Sequence, residues 1–161
     1  MCNRKSRFFS ANLLPKNLNL LKVAFIIFSV IYYTRQGVND MQGRETLLLI
    51  DDDEDILSVT RMILEGSGFT ILTANNGRKG VEIFRENIDK IKAVLIDLVM
   101  PEMDGREVFH ELKKISNDVK AILVCGHNNE EIKRHFCDDG FFSFIQKPYD
   151  VEYLLIKIRS I

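Results

Sequence analysis

Residues 93–105 read AVLIDLVMPEMDG, an apolar run that ends abruptly on a carboxylate. Ala93 to Ile96 are consecutive apolar residues, Asp97 follows, and Pro101 and Gly105 punctuate the loop beyond. A run without polar alternation marks a strand covered on both faces, as in a parallel sheet. Similar runs occur at Thr46–Ile50 (TLLLI), Phe69–Ala74 (FTILTA), Ala121–Val124 (AILV) and Phe141–Ile145 (FFSFI).

The stretches between these runs have helical period. Ile56, Val59, Thr60 and Ile63 share one helix face, as do Val108, Leu112 and Ile115. Val151, Leu154, Leu155 and Ile158 follow the spacing of an amphipathic helix. Gly66 and Gly68 suit the end of the first helix, and Gly140 suits the end of the fourth. Five strand–helix repeats within residues 45–161 predict an α/β fold, an open, doubly wound five-stranded parallel sheet with right-handed crossovers. Such sheets bind ligands beyond the carboxyl ends of their strands.

The residues at those ends carry the chemistry. Asp51, Asp52, Asp53, Glu54 and Asp55 follow the first run and Asp97 the third. Cys125, Gly126 and His127 follow the fourth, and Gln146, Lys147 and Pro148 the fifth. Carboxylates crowded into a small site oppose one another's ionisation unless a cation joins them. A hard divalent ion such as Mg²⁺ takes a few carboxylate oxygens and keeps several waters. Lys147 adds a compact positive charge suited to an anionic group. Together these are the equipment for phosphoryl transfer, which depends on positioning and charge neutralisation. The central carboxylate would be the nucleophile. Each element alone has an ordinary structural role, as helix cap or turn. Their order at consecutive strand ends selects the chemistry.

The 161-residue chain is 46% apolar and 28% charged, ordinary for a globular protein. Its net charge of −1 conceals two unlike segments, +6 over residues 1–44 and −7 over residues 45–161. An acidic body without a basic patch predicts no direct nucleic-acid binding. Cys2, Cys125 and Cys137 show no metal or disulfide spacing, which points to a reducing compartment. The basic head contains one apolar stretch, Val23–Tyr33, only 11 residues long. A bilayer span takes about 20, and no cleavage pattern follows. Five basic residues precede the stretch, so a spanning orientation would export the body. Membrane contact through residues 18–33 is therefore disfavoured but open, beside a start at Met41 with a dispensable head.

From about residue 45 to 161 the chain resembles the receiver domain of two-component response regulators. LLLIDDDEDIL, VLIDLVMPEMDG, ILVCGH and GFFSFIQKPYD carry the resemblance. It implies a flavodoxin-like fold with strand order 2-1-3-4-5. It also implies that Asp97 accepts a phosphoryl group from a histidine kinase or histidine phosphotransfer protein. Asp52, Asp97 and the backbone carbonyl of Val99 would ligate Mg²⁺, with Asp51 helping indirectly. Lys147 would pair with the phosphoryl group, its bond to Pro148 would be cis, and Asp53 would begin a helix.

The family couples phosphorylation to the surface of the fourth helix, fifth strand and fifth helix. It does so through a Thr or Ser ending the fourth strand and an aromatic near the end of the fifth. Phe144 fits the aromatic position, whereas Cys125 stands where a hydroxyl is expected. A thiol is the weaker donor, so phosphorylation should survive with weakened coupling. Val99 has no polar group to orient water, which predicts slow loss of the phosphoryl group; His127 reads as an exposed loop residue. The resemblance implies a cytoplasmic protein that catalyses only its own phosphorylation and dephosphorylation. The pattern runs to Ile161, so the expectation is a single-domain regulator signalling to a separate, unidentified protein.

Two other readings stay open. Cys125 alone favours a pseudo-receiver, an interaction module that no longer takes phosphate. Asp51 and Asp53 also mimic the Asp-x-Asp of haloacid-dehalogenase-like phosphatases. That pattern expects Thr or Val where Asp55 stands, and an acidic pair beyond Lys147, where Asp150 has no acidic neighbour.

Overall fold

A computed structural model describes residues 44–126, 141 and 143–161. The basic head, His127, Gly140 and the rest of the crossover between the fourth and fifth strands lie outside the described residues. The elements run β1 (Thr46–Ile50), α1 (Glu54–Gly66), β2 (Thr70–Ala74), α2 (Gly77–Glu86) and β3 (Ile91–Asp97). They continue with α3 (Gly105–Ile115), β4 (Ala121–Cys125), β5 (Ser143–Gln146) and α4 (Val151–Arg159). The strands form one parallel sheet in the order β2-β1-β3-β4-β5, the expected doubly wound arrangement.

Alternation along each strand divides the core into two layers. Leu48, Ile50, Val94 and Ile96 face one side and meet Val81 and Phe84 of α2 and Val108, Phe109 and Leu112 of α3. Leu47, Leu49, Leu95 and Ile145 face the other and meet Leu57 and Leu64 of α1 and Leu154 and Ile158 of α4. Complete burial of a large aliphatic side chain is worth about 1.5–3 kcal/mol. Burial on both faces explains why the runs do not alternate.

Each helix begins on a residue suited to it. Asp53 accepts from the Asp55 and Ile56 amides at the start of α1, and Asn76 and Asp150 cap α2 and α4. Asp104 and Glu107 form a reciprocal capping box on α3. After α1 the chain turns through Gly68 at φ +98°, a conformation that favours glycine. Among the described residues, no helix is long and apolar enough to cross a membrane.

Some boundaries differ from the sequence pattern. Asp97 and Cys125 are the last residues of their strands rather than the first beyond them, because ladder pairing continues past the apolar run to the Asp97–Val124 and Cys125–Gln146 pairs. The buried stripe of α1 is Leu57, Thr60, Ile63 and Leu64, with Ile56 and Val59 only half-buried. Leu57 takes the place of Ile56 because α1 starts at Glu54 and turns that face to the sheet.

Candidate functional site

Strand register assembles the site. Ile50 pairs with Ile96 in the ladder between β1 and β3, so Asp51 and Asp97 leave the sheet side by side. Asp97 pairs with Val124, and Cys125 with Gln146, which brings Lys147 to the same edge. The Lys147 ammonium lies 2.6 Å from Asp51 Oδ2 and 3.1 Å from Asp97 Oδ1. Asp52 completes the group, each of the three carboxylates placing one oxygen within 4.8 Å of the others.

Backbone contacts hold each member in place. The Asp51 amide donates to the Ala74 carbonyl at 3.1 Å, while Asp51 Oδ1 accepts from the Asp53 amide at 3.0 Å. The Leu98 amide donates to Val124 O at 2.8 Å, and Gly105 N donates back to Leu98 O at 3.0 Å. A Cβ at Gly105 would lie 2.4 Å from the Asp97 carbonyl oxygen, so this close approach requires glycine. The Lys147 amide donates to Cys125 O at 2.7 Å, and the Lys147–Pro148 bond is cis, as expected.

Asp51 and Asp97 are buried, and Asp52 is exposed at the rim. Burial raises the Asp97 pKa above the ordinary carboxylate value; Lys147 opposes the rise, and the charges of Asp51 and Asp52 add to it. Burial pulls Lys147 down, but its hydrogen bonds and charge contacts with Asp51 and Asp97 outweigh that and hold it above the usual lysine value. Three carboxylates against one ammonium leave an excess of negative charge in a confined space. The all-oxygen donor set and that excess both fit a hard divalent cation such as Mg²⁺.

The remaining candidates sit around this centre. Val99 lies on the loop just beyond Asp97 with its side chain 72% exposed. Cys125 is buried at the end of β4. Phe144 is half-buried in β5 and packs against the layer formed with α2 and α3. Asp53 is occupied as the cap of α1, so the Asp51/Asp53 pair does not form a two-carboxylate centre. Tyr149 was not singled out from sequence. Its hydroxyl bonds Thr60 Oγ1 at 3.0 Å, and its ring lines a cavity of about 20 Å³ together with Asp51 and Asp97. A threonine within the apolar stripe of α1 was the available signal, since a buried hydroxyl needs a partner.

The family profile of the response regulator receiver domain matches residues 47–159. Sensor kinase CckA of Brucella abortus (strain 2308) is 31% identical over 125 residues, 78% of this chain and 13% of that protein. Transcriptional regulatory protein GlrR of Escherichia coli (strain K12) is 33% identical over 108 residues, 67% of this chain and 24% of the relative. The chain thus spans less than a quarter of the length of these two curated relatives. A crystal structure of a response regulator receiver domain protein from Clostridium thermocellum superposes with a TM-score of 0.69. That protein is 32% identical, with 72% of this chain and 92% of its own covered.

Proposed function

The chain belongs to the response regulator receiver domain family, and we propose that it is a Mg²⁺-dependent phosphoacceptor in two-component signalling. The observation that carries this is the contact of one ammonium, Lys147, with two buried carboxylates, Asp51 and Asp97, beside a third, Asp52. Residues 45–161 form the receiver in this proposal, and residues 1–44 are a separate head. The phosphoryl donor is a histidine kinase or histidine phosphotransfer protein. Its ATP supply argues for a cytoplasmic location.

An oxygen of ionised Asp97 attacks the phosphorus, and the bond from phosphorus to the donor's imidazole nitrogen breaks. Asp52, Asp97 and the Val99 carbonyl would hold Mg²⁺, with Asp51 acting indirectly; the ion supplies charge neutralisation at the phosphoryl oxygens. Lys147 gives up part of its contact with Asp97 and pairs with a phosphoryl oxygen. Asp51 keeps hold of Lys147 meanwhile, so the ammonium needs to move only slightly. Cys125 and Phe144 then relay the change to β5 and α4, where a protein partner is engaged, with the thiol of Cys125 coupling more weakly than the family's hydroxyl. The chain's only chemistry is its own phosphorylation and dephosphorylation.

Incubation with a small acyl phosphate and Mg²⁺ tests the proposal. The wild type should take up one labile phosphoryl group, lost in Asp97→Asn and on chelation of the metal. A wild type that does not label would make the chain a pseudo-receiver.

A further inference from the structure

A side-chain bond fastens the loop that carries Lys147 to α1. Thr60 Oγ1 and the Tyr149 hydroxyl, 89 residues apart in sequence, lie 3.0 Å apart. Thr60 is buried among the apolar residues of α1. The Tyr149 ring packs against the same core layer as Leu57 and Val151. Tyr149 stands two residues beyond Lys147, and Asp53, the cap of α1, directly follows Asp51 and Asp52. The bond therefore closes a ring that runs from the acidic loop through α1 to Tyr149 and back along Pro148 to Lys147. Thr60 and Tyr149 line the same 20 Å³ cavity as Asp51 and Asp97.

We propose that the Thr60–Tyr149 hydroxyl bond is a positioning device that holds the Lys147 ammonium against Asp51 and Asp97. Its importance for phosphorylation rests on the function proposed above. Without the bond, Tyr149 keeps its apolar packing but can slide along α1, and Lys147 shares that freedom. Reactions that depend on placement lose rate when a group is displaced even slightly.

Exchange of the Lys147 ammonium protons, followed by ¹⁵N NMR on the full chain, reads this positioning without any phosphorylation. Tyr149→Phe should speed that exchange by roughly 2- to 10-fold, the range a single neutral hydrogen bond controls. Thr60→Ser, which keeps the hydroxyl, should stay at the wild-type rate. Thr60→Val leaves the tyrosine hydroxyl unpaired and should both speed exchange and lower the melting temperature. Combining Thr60→Val with Tyr149→Phe removes both hydroxyls, so the melting temperature should recover while exchange stays fast. A wild-type exchange rate in Tyr149→Phe would overturn the proposal. So would a double variant in which exchange recovers along with stability, because the bond would then be merely structural. Failure of the wild type to take up phosphate would leave this measurement intact and overturn only the function above.

Discussion

Lys147 Nζ lies 2.6 Å from Asp51 Oδ2, joining the ends of β5 and β1 across 96 residues of chain. The two strands are not neighbours; β3 and β4 stand between them. The ion pair thus passes over the carboxyl end of β3, where Asp97 is placed 3.1 Å from the same ammonium. Both carboxylates compete for one cation. That competition underlies the first expectation.

Asp97 titrates above the ordinary carboxylate value because burial, reinforced by Asp51 and Asp52, outweighs the pull of Lys147. A carboxyl whose folded pKa is raised favours folding when protonated. That contribution is complete below the unfolded value of about 3.9 and is lost as pH rises through the folded value. At neutral pH without metal, Asp97 therefore penalises the fold. Asp97→Asn should melt at a higher temperature than wild type at pH 7, and the difference should shrink to nothing in acid. Saturating Mg²⁺ should stabilise the wild type by about 2.7 kcal/mol at 100 times its dissociation constant, narrowing the gap. Thermal melts at several pH values, with and without the ion, check both signs; a lower melting temperature for Asp97→Asn at pH 7 would refute the first.

Gly105 admits no side chain. A Cβ there would meet the Asp97 carbonyl oxygen at 2.4 Å and Leu98 Cα at 2.9 Å, both backbone atoms that cannot swing aside. Overpacking of this kind costs about 1–3 kcal/mol. Gly105→Ala should lose stability by that amount and slow phosphorylation, since relief of the clash moves the backbone of Asp97. Denaturant unfolding and the labelling rate together check it. Loss of stability with an unchanged labelling rate would show that the strain is relieved on the α3 side.

The strands were legible because burial on both faces leaves uninterrupted apolar runs, and the carboxylates because they stop those runs. Lys147 could be joined to them because sheets of this type gather ligand contacts at one end. Strand ends were less legible, since Asp97 and Cys125 pair within the ladder although one is charged. Glu102 gave no sign of its left-handed backbone, φ 64°, within the turn closed by the Met103 amide on Pro101 O. Glycine or asparagine would have marked that position. The Thr60–Tyr149 bond was hidden for another reason. Its partners meet only after α1 and the loop before α4 pack on the same face.

Val99 is 72% exposed and apolar beside the phosphoacceptor proposed here. Water can reach this position, but the side chain cannot orient it. Val99→Asn adds an amide that can hydrogen-bond an attacking water. The phosphoryl group should leave several-fold faster, on the order of the 2- to 10-fold expected of one hydrogen bond. Decay of the label after removal of the donor measures this. A lifetime equal to wild type would place the water elsewhere.

Cys125 ends β4 in a buried position, and its carbonyl already accepts the Lys147 amide at 2.7 Å. That bond involves only the backbone, so Cys125→Thr should leave Lys147 in place. The change concerns the side chain, where a hydroxyl replaces a weak thiol donor. Phosphorylation itself should proceed at a similar rate in both proteins, because Asp97, Lys147 and the acidic loop are untouched. The phosphorylated state should differ. A neutral hydrogen bond gained at a phosphoryl oxygen is worth roughly 0.5–1.5 kcal/mol, which moves a two-state equilibrium by roughly 2- to 10-fold. Amide chemical shifts in β5 and α4, recorded before and after phosphorylation, should therefore change more in Cys125→Thr than in the wild type. Equal changes would mean that the thiol already couples the site to this surface, and that Phe144 moves without help from a hydroxyl.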